Sequence, residues 1–161
     1  MHTPMCWKVL AAAGLGLCLL PAWPQAEPRI HLIWMGGNDC PPCVAWRALD
    51  LPRLRETAAF QRIRFSYVIK PVGGAVPPSF FLDAEVKPYK DQLDEANAGR
   101  GGSPQGALLV DGKVYDYFLG VRSAHEIEAM ILAVEDGTKY PFRRCLKVNS
   151  SRSVRQCDLR P

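Results

Sequence analysis

Two cysteines separated by two prolines are the residues of this chain whose types and spacing point most directly to chemistry. Cys40 and Cys43 follow a short apolar segment and a glycine-containing loop, and they open a segment of helical character. The dipole and free N–H groups at a helix N-terminus favour a thiolate there. A second thiol one turn later can attack a mixed disulfide and release the partner. The spacing therefore predicts thiol–disulfide exchange, with Cys40 as the nucleophile and Cys43 as the resolving thiol.

Three other roles for this pair stay open from the residues alone. A zinc site needs two more ligands, and Cys145 and Cys157 do not form a second closely spaced pair. The two thiols could also form a purely structural disulfide, or bind copper or another soft metal. We assign neither a metal nor a cofactor to the chain.

The segments on either side of the cysteines predict strands and a helix. Residues 30–35 are an apolar run typical of a buried strand, and residues 63–69 alternate as a strand does. The alternating segment carries its larger side chains on one face: Ile63, Phe65, Tyr67 and Ile69. Between the strands, a helix is expected to open with the two prolines, where missing N–H groups are tolerated. We expect its core-facing side chains and its break to be as follows: Val44, Leu49 and Leu54 facing the core, and Pro52 kinking or ending the helix.

The second half of the chain predicts a loop, a helix, a hairpin and a final helix. Residues 71–81 are rich in proline and predict a loop, residues 86–97 predict a short polar helix, and residues 98–102 are a flexible connector. Strands at 107–110 and 114–119 flank an Asp-Gly turn, which is typical of a hairpin. After them, Ser123 and Glu126 form a capping box for a helix with a regular apolar stripe. The stripe consists of Ile127, Met130, Ile131 and Val134.

Two separated blocks, IHLIWMGGNDCPPCVAWRAL and GGSPQGALLVDGKVYDYFLG, resemble the thioredoxin superfamily over residues 28–135. The first is similar to the strand, loop and helix that carry the redox cysteines. In the second, Pro104, Gly112 and Gly120 have the spacing of the proline, turn glycine and closing glycine of that family. The resemblance implies an α/β fold with a central mixed β-sheet flanked by helices. It also implies an insert around residues 71–102, before the cis-proline strand.

The resemblance carries expectations for single residues as well. It implies a cis Ser103-Pro104 bond facing the cysteines, with the backbone of Ser103 pairing with an extended substrate. The chain departs from the family at Asp39, where tryptophan is usual, and at Trp34, where a buried aspartate is usual. Since that aspartate accepts the proton of the resolving thiol, Glu56 and Glu85 are the candidates for its replacement.

Other residues of interest are expected to be structural. Trp46 is expected to pack beside the active-site helix, with a place in a substrate groove as the alternative. Phe80 and Phe81 are expected to anchor the insert in the core, and the alternative is an exposed docking patch. His31 and His125 are expected to be a packing and a surface residue.

The N-terminus predicts export. Lys8 is followed by twelve apolar residues, which is too short for a spanning helix and typical of a signal peptide. We expect residues 1–26 to be the leader, cleaved near Ala22 or Ala26, and an uncleaved inner-membrane anchor is the alternative. Cys6 and Cys18 then leave with the leader. The four remaining cysteines suit an oxidising compartment such as the periplasm.

The domain proper is expected to span residues 27–136, and residues 137–161 form a basic C-terminal extension. The extension has seven basic side chains against one acidic side chain. A disulfide between Cys145 and Cys157 would close a loop in it and stabilise it by roughly 3 kcal/mol. We expect this disulfide to be structural, and the alternatives are electron relay to the first pair, free thiols and an intermolecular bond.

The sequence as a whole thus predicts an exported thiol:disulfide oxidoreductase of about one domain in size. Its partners are expected to be protein thiols and disulfides, together with a membrane or periplasmic redox partner. The formal charge of +4 is too small to suggest a nucleic-acid partner. Asp39 opposes a thiolate at Cys40 by like charge, and the prolines remove two N–H donors, so we expect a reductase rather than an oxidant. The rival functions are a non-catalytic binding or assembly factor and a metallochaperone.

Overall fold

The computed structural model describes residues 29–98 and 101–146 of the chain. The predicted leader and most of the C-terminal extension, including Cys157, lie outside the described residues. The helices and strands in chain order are β1 (Ile30–Met35), α1 (Pro41–Arg55), α2 (Ala58–Gln61), β2 (Arg64–Val68), α3 (Lys90–Asn97), β3 (Gln105–Val110), β4 (Lys113–Leu119) and α4 (Ala124–Glu135). Short 3-10 turns at Ser79–Phe81 and Lys87–Tyr89 lie between β2 and α3.

The four strands form one mixed sheet in the order β2-β1-β3-β4. β1 is parallel to β2 and antiparallel to β3, and β3 and β4 form an antiparallel hairpin. The hairpin turns at Asp111 and Gly112, which both have positive φ (50° and 73°). Two consecutive residues of this kind suit the tight turn that the Asp-Gly pair predicts. The predicted α/β fold with a central mixed sheet flanked by helices is confirmed.

Both faces of the sheet are covered, because strand side chains alternate between two separate cores. The first core joins one face of the sheet to α1 and α4, with Trp34, Trp46 and Ile131 among its fully buried members. The second core joins the other face to α3 and the loops before it, and it includes Ile33 and Leu93. The sheet is therefore a rigid central layer whose ends can hold functional loops in place.

The capping box of α4 is as predicted. The side chain of Ser123 accepts a hydrogen bond from the backbone N–H of Glu126, and the Glu126 carboxylate accepts one from the backbone N–H of Ser123. The apolar stripe that follows is buried, and α4 packs against α1 and α2.

The prediction for the core-facing side chains of α1 is wrong for Val44 and Leu49 and correct for Leu54. Its buried stripe runs through Cys43, Trp46 and Leu54, whose side chains lie within about 80° of one another around the helix. Val44 and Leu49 flank that stripe on its two sides and are 42% and 58% exposed. Pro52 does not end the helix, which continues to Arg55.

The segment between β2 and β3 differs in detail from the prediction. The helix expected at residues 86–97 divides into a 3-10 turn and α3, and Ala98 ends α3 with a left-handed backbone (φ 51°). The expected anchor of this segment is also wrong, because Phe80 and Phe81 are 87% and 73% exposed. Val76, Leu82 and Val86 enter the second core in their place.

The described start of the C-terminal extension lies along the sheet. The N–H of Tyr117, in β4, donates to the carbonyl of Cys145 at 2.7 Å. The carboxylate of Asp116 accepts hydrogen bonds from the N–H of Cys145 (2.8 Å) and the hydroxyl of Tyr140 (2.9 Å). Burial raises the pKa of the Asp116 carboxyl above its usual value, and these two hydrogen bonds offset part of that increase. Residues 140–145 are thus attached to β4 at two adjacent positions.

Candidate active site

The two cysteines lie at the junction between β1 and α1 and are joined by a disulfide. Cys40 is the N-cap residue of α1 with an extended backbone, and Pro41 and Pro42 form the first helical positions. The Cys40–Cys43 bond joins residues whose Cα atoms are 5.2 Å apart. A disulfide therefore lies at a helix N-terminus, where the spacing of the two cysteines predicts the pair.

One N–H group of the first turn is directed at the Cys40 sulfur. Because Pro41 and Pro42 carry no N–H, the first donor of the helix is the N–H of Cys43. It lies 3.2 Å from Cys40 Sγ and 2.9 Å from the Cys40 carbonyl oxygen. A hydrogen bond to sulfur favours the thiolate form of that residue. The N–H of Cys43 therefore donates to the sulfur of Cys40, the residue predicted to be the nucleophile.

Access to the pair differs from what the role of Cys40 suggests. We expect a nucleophilic thiol to be more exposed than its resolving partner, yet Cys40 is only 1% exposed in the disulfide form and Cys43 is 0% exposed. The neighbouring Asn38, Asp39 and Pro41 are exposed and surround the pair. The disulfide is therefore buried although the residues next to Cys40 in the sequence are exposed.

The cis-proline loop lies at the same end of the sheet as the cysteines. The Ser103-Pro104 bond is cis, as the resemblance implies. Gln105, which follows it, pairs with Met35 at the last position of β1. The loop that leads to Cys40 follows Met35 directly, and the loop with Pro104 directly precedes Gln105. The two loops therefore lie side by side at the ends of neighbouring strands.

A buried lysine joins the loops of this region. Lys70 is 0% exposed, and its ammonium group donates to the carbonyl oxygens of Gly74 and Gly102, each at 2.6 Å. It also lies 3.5 Å from the hydroxyl of Ser103. Desolvation lowers the pKa of Lys70, and the negative charge of Asp39 opposes this shift. Lys70 was missed by the sequence reasoning, because a lysine beside a proline-rich loop carries no signal for burial.

Asp39 is fixed toward the same loops. Its carboxylate accepts a hydrogen bond from the N–H of Val72 at 3.1 Å. A Cβ added at Gly37 would collide with the Asp39 carboxylate and lie 2.6 Å from the carbonyl oxygen of Lys70. The close approach of these groups explains why a glycine is needed in this loop.

Neither carboxylate suggested as the proton acceptor of Cys43 is placed to serve it. Glu56 follows the C-terminus of α1, thirteen residues from Cys43, which corresponds to about 20 Å of helix. Glu85 accepts a hydrogen bond from the Ser66 hydroxyl at 2.7 Å. Ser66 points to the opposite face of the sheet from its neighbour Tyr67, which packs on the side of α1.

The aromatic residues near the pair are packed. Trp46 stacks on Trp34 with ring centroids 3.8 Å apart, and its indole N–H donates to the carbonyl of Arg122. Trp46 is 1% exposed, so it packs within the core as expected and does not line a groove. His31 is buried and lies within hydrogen-bond distance of Ser66, whereas His125 is exposed.

An apolar surface adjoins the loop that Lys70 fixes. Ile69 is 58% exposed, and Phe80 and Phe81 contact each other edge to face. A cavity of about 650 Å³ lies between Ile69, Phe81 and the proline-rich loop. The phenylalanines therefore fit the alternative of an exposed patch.

The second cysteine pair is described in part. Cys145 is 5% exposed and takes part in a disulfide. The predicted partner, Cys157, lies outside the described residues, so the pairing stays a prediction. Within residues 29–98 and 101–146, no three His, Cys, Asp or Glu side chains are grouped as metal ligands. The helices in these same ranges include none that is long and apolar enough to cross a membrane.

Comparisons with known proteins find a likeness to solved structures but none to a protein family or a curated sequence. No protein-family profile matches the chain, and no curated protein sequence matches it significantly. A solved structure that it resembles is desulfothioredoxin from Desulfovibrio vulgaris Hildenborough in its reduced form. The two share 20% sequence identity with a TM-score of 0.39, over 62% of this chain and 76% of that one.

Proposed function

We propose that this protein is a thiol:disulfide oxidoreductase that exchanges disulfides with protein thiols outside the cytoplasm. The observation that carries the proposal is the Cys40–Cys43 disulfide at the start of α1, with the Cys43 N–H directed at Cys40 Sγ. The cis Ser103-Pro104 loop at the same end of the sheet supports it. Export rests on the predicted leader of residues 1–26 and on the number of cysteines that follow it.

Reduction of a substrate would proceed in two balanced steps. The Cys40 thiolate attacks a substrate disulfide, forms a mixed disulfide and releases one substrate thiolate, which takes a proton from solvent. Cys43, as its thiolate, then attacks Cys40 Sγ, restores the Cys40–Cys43 bond and releases the second substrate thiolate. Two electrons pass from the enzyme dithiol to the substrate, and a membrane or periplasmic reductant must restore the dithiol. The backbone of Ser103 would pair with the extended substrate during these steps.

Single-cysteine variants test the reaction. The substrate is a peptide disulfide with a fluorescent leaving group, assayed with dithiothreitol as the reductant. We expect Cys40→Ser to abolish turnover. When Cys43→Ser is first reduced and the dithiothreitol is removed, we expect it to accumulate a mixed disulfide at Cys40 that mass spectrometry identifies. Turnover that survives Cys40→Ser would contradict the proposal.

We propose the reductase direction because Asp39 and the two prolines both disfavour a Cys40 thiolate. A protein whose reduced form is less stabilised has a lower reduction potential. Asp39→Asn keeps an oxygen that can accept the Val72 N–H, and it removes the charge. We expect this variant to be more oxidising than the parent in equilibrium with glutathione. An unchanged or lower potential would contradict the role given to Asp39.

The exposed Phe80 and Phe81 favour one rival function, a non-catalytic binding or assembly factor. In that case the partner is held by the apolar surface, and Cys40→Ser leaves complex formation unchanged. Phe80→Ser with Phe81→Ser is the matched variant, which should abolish binding and spare the turnover of a small peptide disulfide. The two variants therefore separate the two functions.

A further inference from the structure

The hydroxyl of Tyr67 is a buried polar group without a hydrogen-bond partner in the described structure. Tyr67 lies near the end of β2, on the face of the sheet that α1 covers. Its ring is partly exposed, but its oxygen has almost no contact with solvent. A buried hydroxyl costs free energy in any state that leaves it without a partner, so a state that supplies one is favoured by comparison.

The sulfur of Cys43 is the nearby group that changes state. A Cβ added at Gly36 would lie 2.7 Å from Cys43 Sγ and 3.0 Å from the Tyr67 hydroxyl oxygen. The oxygen and the sulfur are therefore less than about 6 Å apart, with only the hydrogen-sized space of Gly36 beside them. In the disulfide form the Cys43 sulfur is bonded to Cys40, and once that bond opens it can rotate toward the hydroxyl.

One charged side chain, that of Arg47, lies against the ring of Tyr67. The guanidinium carbon of Arg47 lies 5.3 Å from the centre of the Tyr67 ring, and Arg47 also donates to Asn38 in the cysteine loop at 2.6 Å. Burial raises the pKa of Tyr67, and the charge of Arg47 opposes this shift. Other charged groups at this end of the sheet include Asp39 and Lys70, which face the loop after β2, and the buried Arg122 after β4, whose guanidinium lies 5.5 Å from the centre of the Phe118 ring.

We propose that Tyr67 is a positioning residue for the resolving thiol and donates a hydrogen bond to the Cys43 thiolate when the disulfide opens. The proposal deepens the proposed function, on which it rests. When a substrate thiolate attacks Cys40 Sγ, the S–S bond breaks and Cys43 leaves with the electron pair as a thiolate. The phenol keeps its proton and shares it in the hydrogen bond, and solvent later protonates the sulfur. In the opposite direction the same hydrogen bond increases the fraction of Cys43 that is ready to attack.

Tyr67 thus takes a place for which the sequence suggested a carboxylate. Trp34, at the position where the resembled family has an aspartate, has only an N–H donor and cannot accept a proton. A phenol cannot serve as a base while it stays protonated, but it can stabilise a buried anion by donation. The resolving thiol is therefore expected to depend on a hydrogen-bond donor rather than on a proton acceptor.

The test is the titration of Cys43 in the Cys40→Ser protein, with and without Tyr67→Phe. Iodoacetamide labelling across a pH series, read on the peptide that contains Cys43, gives the pH at which this thiol ionises. We expect Tyr67→Phe to lower the thiolate fraction at a given pH about tenfold, which moves the midpoint up by about one pH unit. Tyr89→Phe is the matched control, since Tyr89 packs against the second core on the other face of the sheet.

A purely structural role would move stability instead of the titration. Because the hydroxyl has no partner in the disulfide form, Tyr67→Phe should leave the urea midpoint of the oxidised protein unchanged or slightly higher. Identical Cys43 midpoints with and without Tyr67→Phe, or a clear loss of oxidised-state stability, would overturn the proposal. These readouts do not require turnover, so they remain informative even if the peptide-disulfide assay shows no oxidoreductase activity.

Discussion

Gly36→Ala tests how tightly the Cys40–Cys43 disulfide is enclosed. The added methyl would lie 2.7 Å from Cys43 Sγ, 3.0 Å from Cys43 Cβ and 3.0 Å from the Tyr67 hydroxyl oxygen. Normal contacts between such atoms are about 3.5–4 Å, so at least one neighbour must move. The sulfur is restrained by its bond to Cys40, and Tyr67 is restrained by the sheet. Overpacking of this kind costs about 1–3 kcal/mol of the free energy of unfolding.

The assay is urea unfolding of the oxidised protein, with Gly73→Ala as the matched control. Gly73 has no atom within 4 Å of an added Cβ, and its φ lies outside the left-handed range. The control should therefore stay within about 0.5 kcal/mol of the parent or gain slightly, because alanine restricts the unfolded chain. In the reduced protein the Cys43 sulfur can rotate away, so Gly36→Ala should cost less there and make the disulfide easier to reduce. Equal stability of the two alanine variants would refute the close packing of Gly36 against Cys43.

Three further predictions concern the buried contacts of Tyr140 and Trp46. Tyr140→Phe removes the hydrogen bond to the Asp116 carboxylate and should cost about 1–3 kcal/mol, with faster amide exchange in residues 140–145. Burial and the charge of Asp116 raise the pKa of Tyr140. The contribution of Tyr140 to the free energy of unfolding should therefore be full below pH 10 and fall as the pH rises above it, because tyrosine in the unfolded chain ionises first. Unfolding curves from about pH 8 to 11 measure this dependence. Tyr140→Phe should make the free energy of unfolding less dependent on pH in that range. Trp46→Phe loses the hydrogen bond to the Arg122 carbonyl and part of the stacked contact, and it should lower the free energy of unfolding by about 1–3 kcal/mol; an unchanged urea midpoint would contradict this.

Local patterns in the sequence were sufficient for much of the fold. The capping box at Ser123 and the turn at Asp111 depend on neighbouring residues only, and both occur as predicted. The placement of Cys40 at a helix start also follows from short-range signals, since a loop and two prolines mark it. The cis bond before Pro104 needed the family resemblance, because a serine–proline pair is usually trans on its own.

Features that depend on distant segments were not predictable. The burial of Lys70 is compensated by its hydrogen bonds to the carbonyl groups of Gly74 and Gly102. The sequence next to Lys70 gives no signal for these contacts, because Gly102 is distant in the chain. Phe80 and Phe81 are hydrophobic, yet the loop presents them to solvent while other residues fill the core. The alternation of β2 predicted that Tyr67 shares a face of the sheet with Phe65. The proximity of its hydroxyl to the Cys43 sulfur, however, depends on the absence of a side chain at Gly36.

The position of residues 140–145 along β4 affects how readily a second chain can pair with this edge of the sheet. An outer strand with open N–H and carbonyl groups is a template on which a second chain can add a strand. Here the N–H of Tyr117 is occupied by the Cys145 carbonyl, and the N–H of Val114 is occupied by the side chain of Gln92. The start of the extension, together with Gln92 of α3, therefore blocks part of this edge of the sheet against pairing with a second chain. Truncation before residue 140 removes the partner of the Tyr117 N–H, and it is therefore expected to increase aggregation through strand pairing as the protein concentration rises.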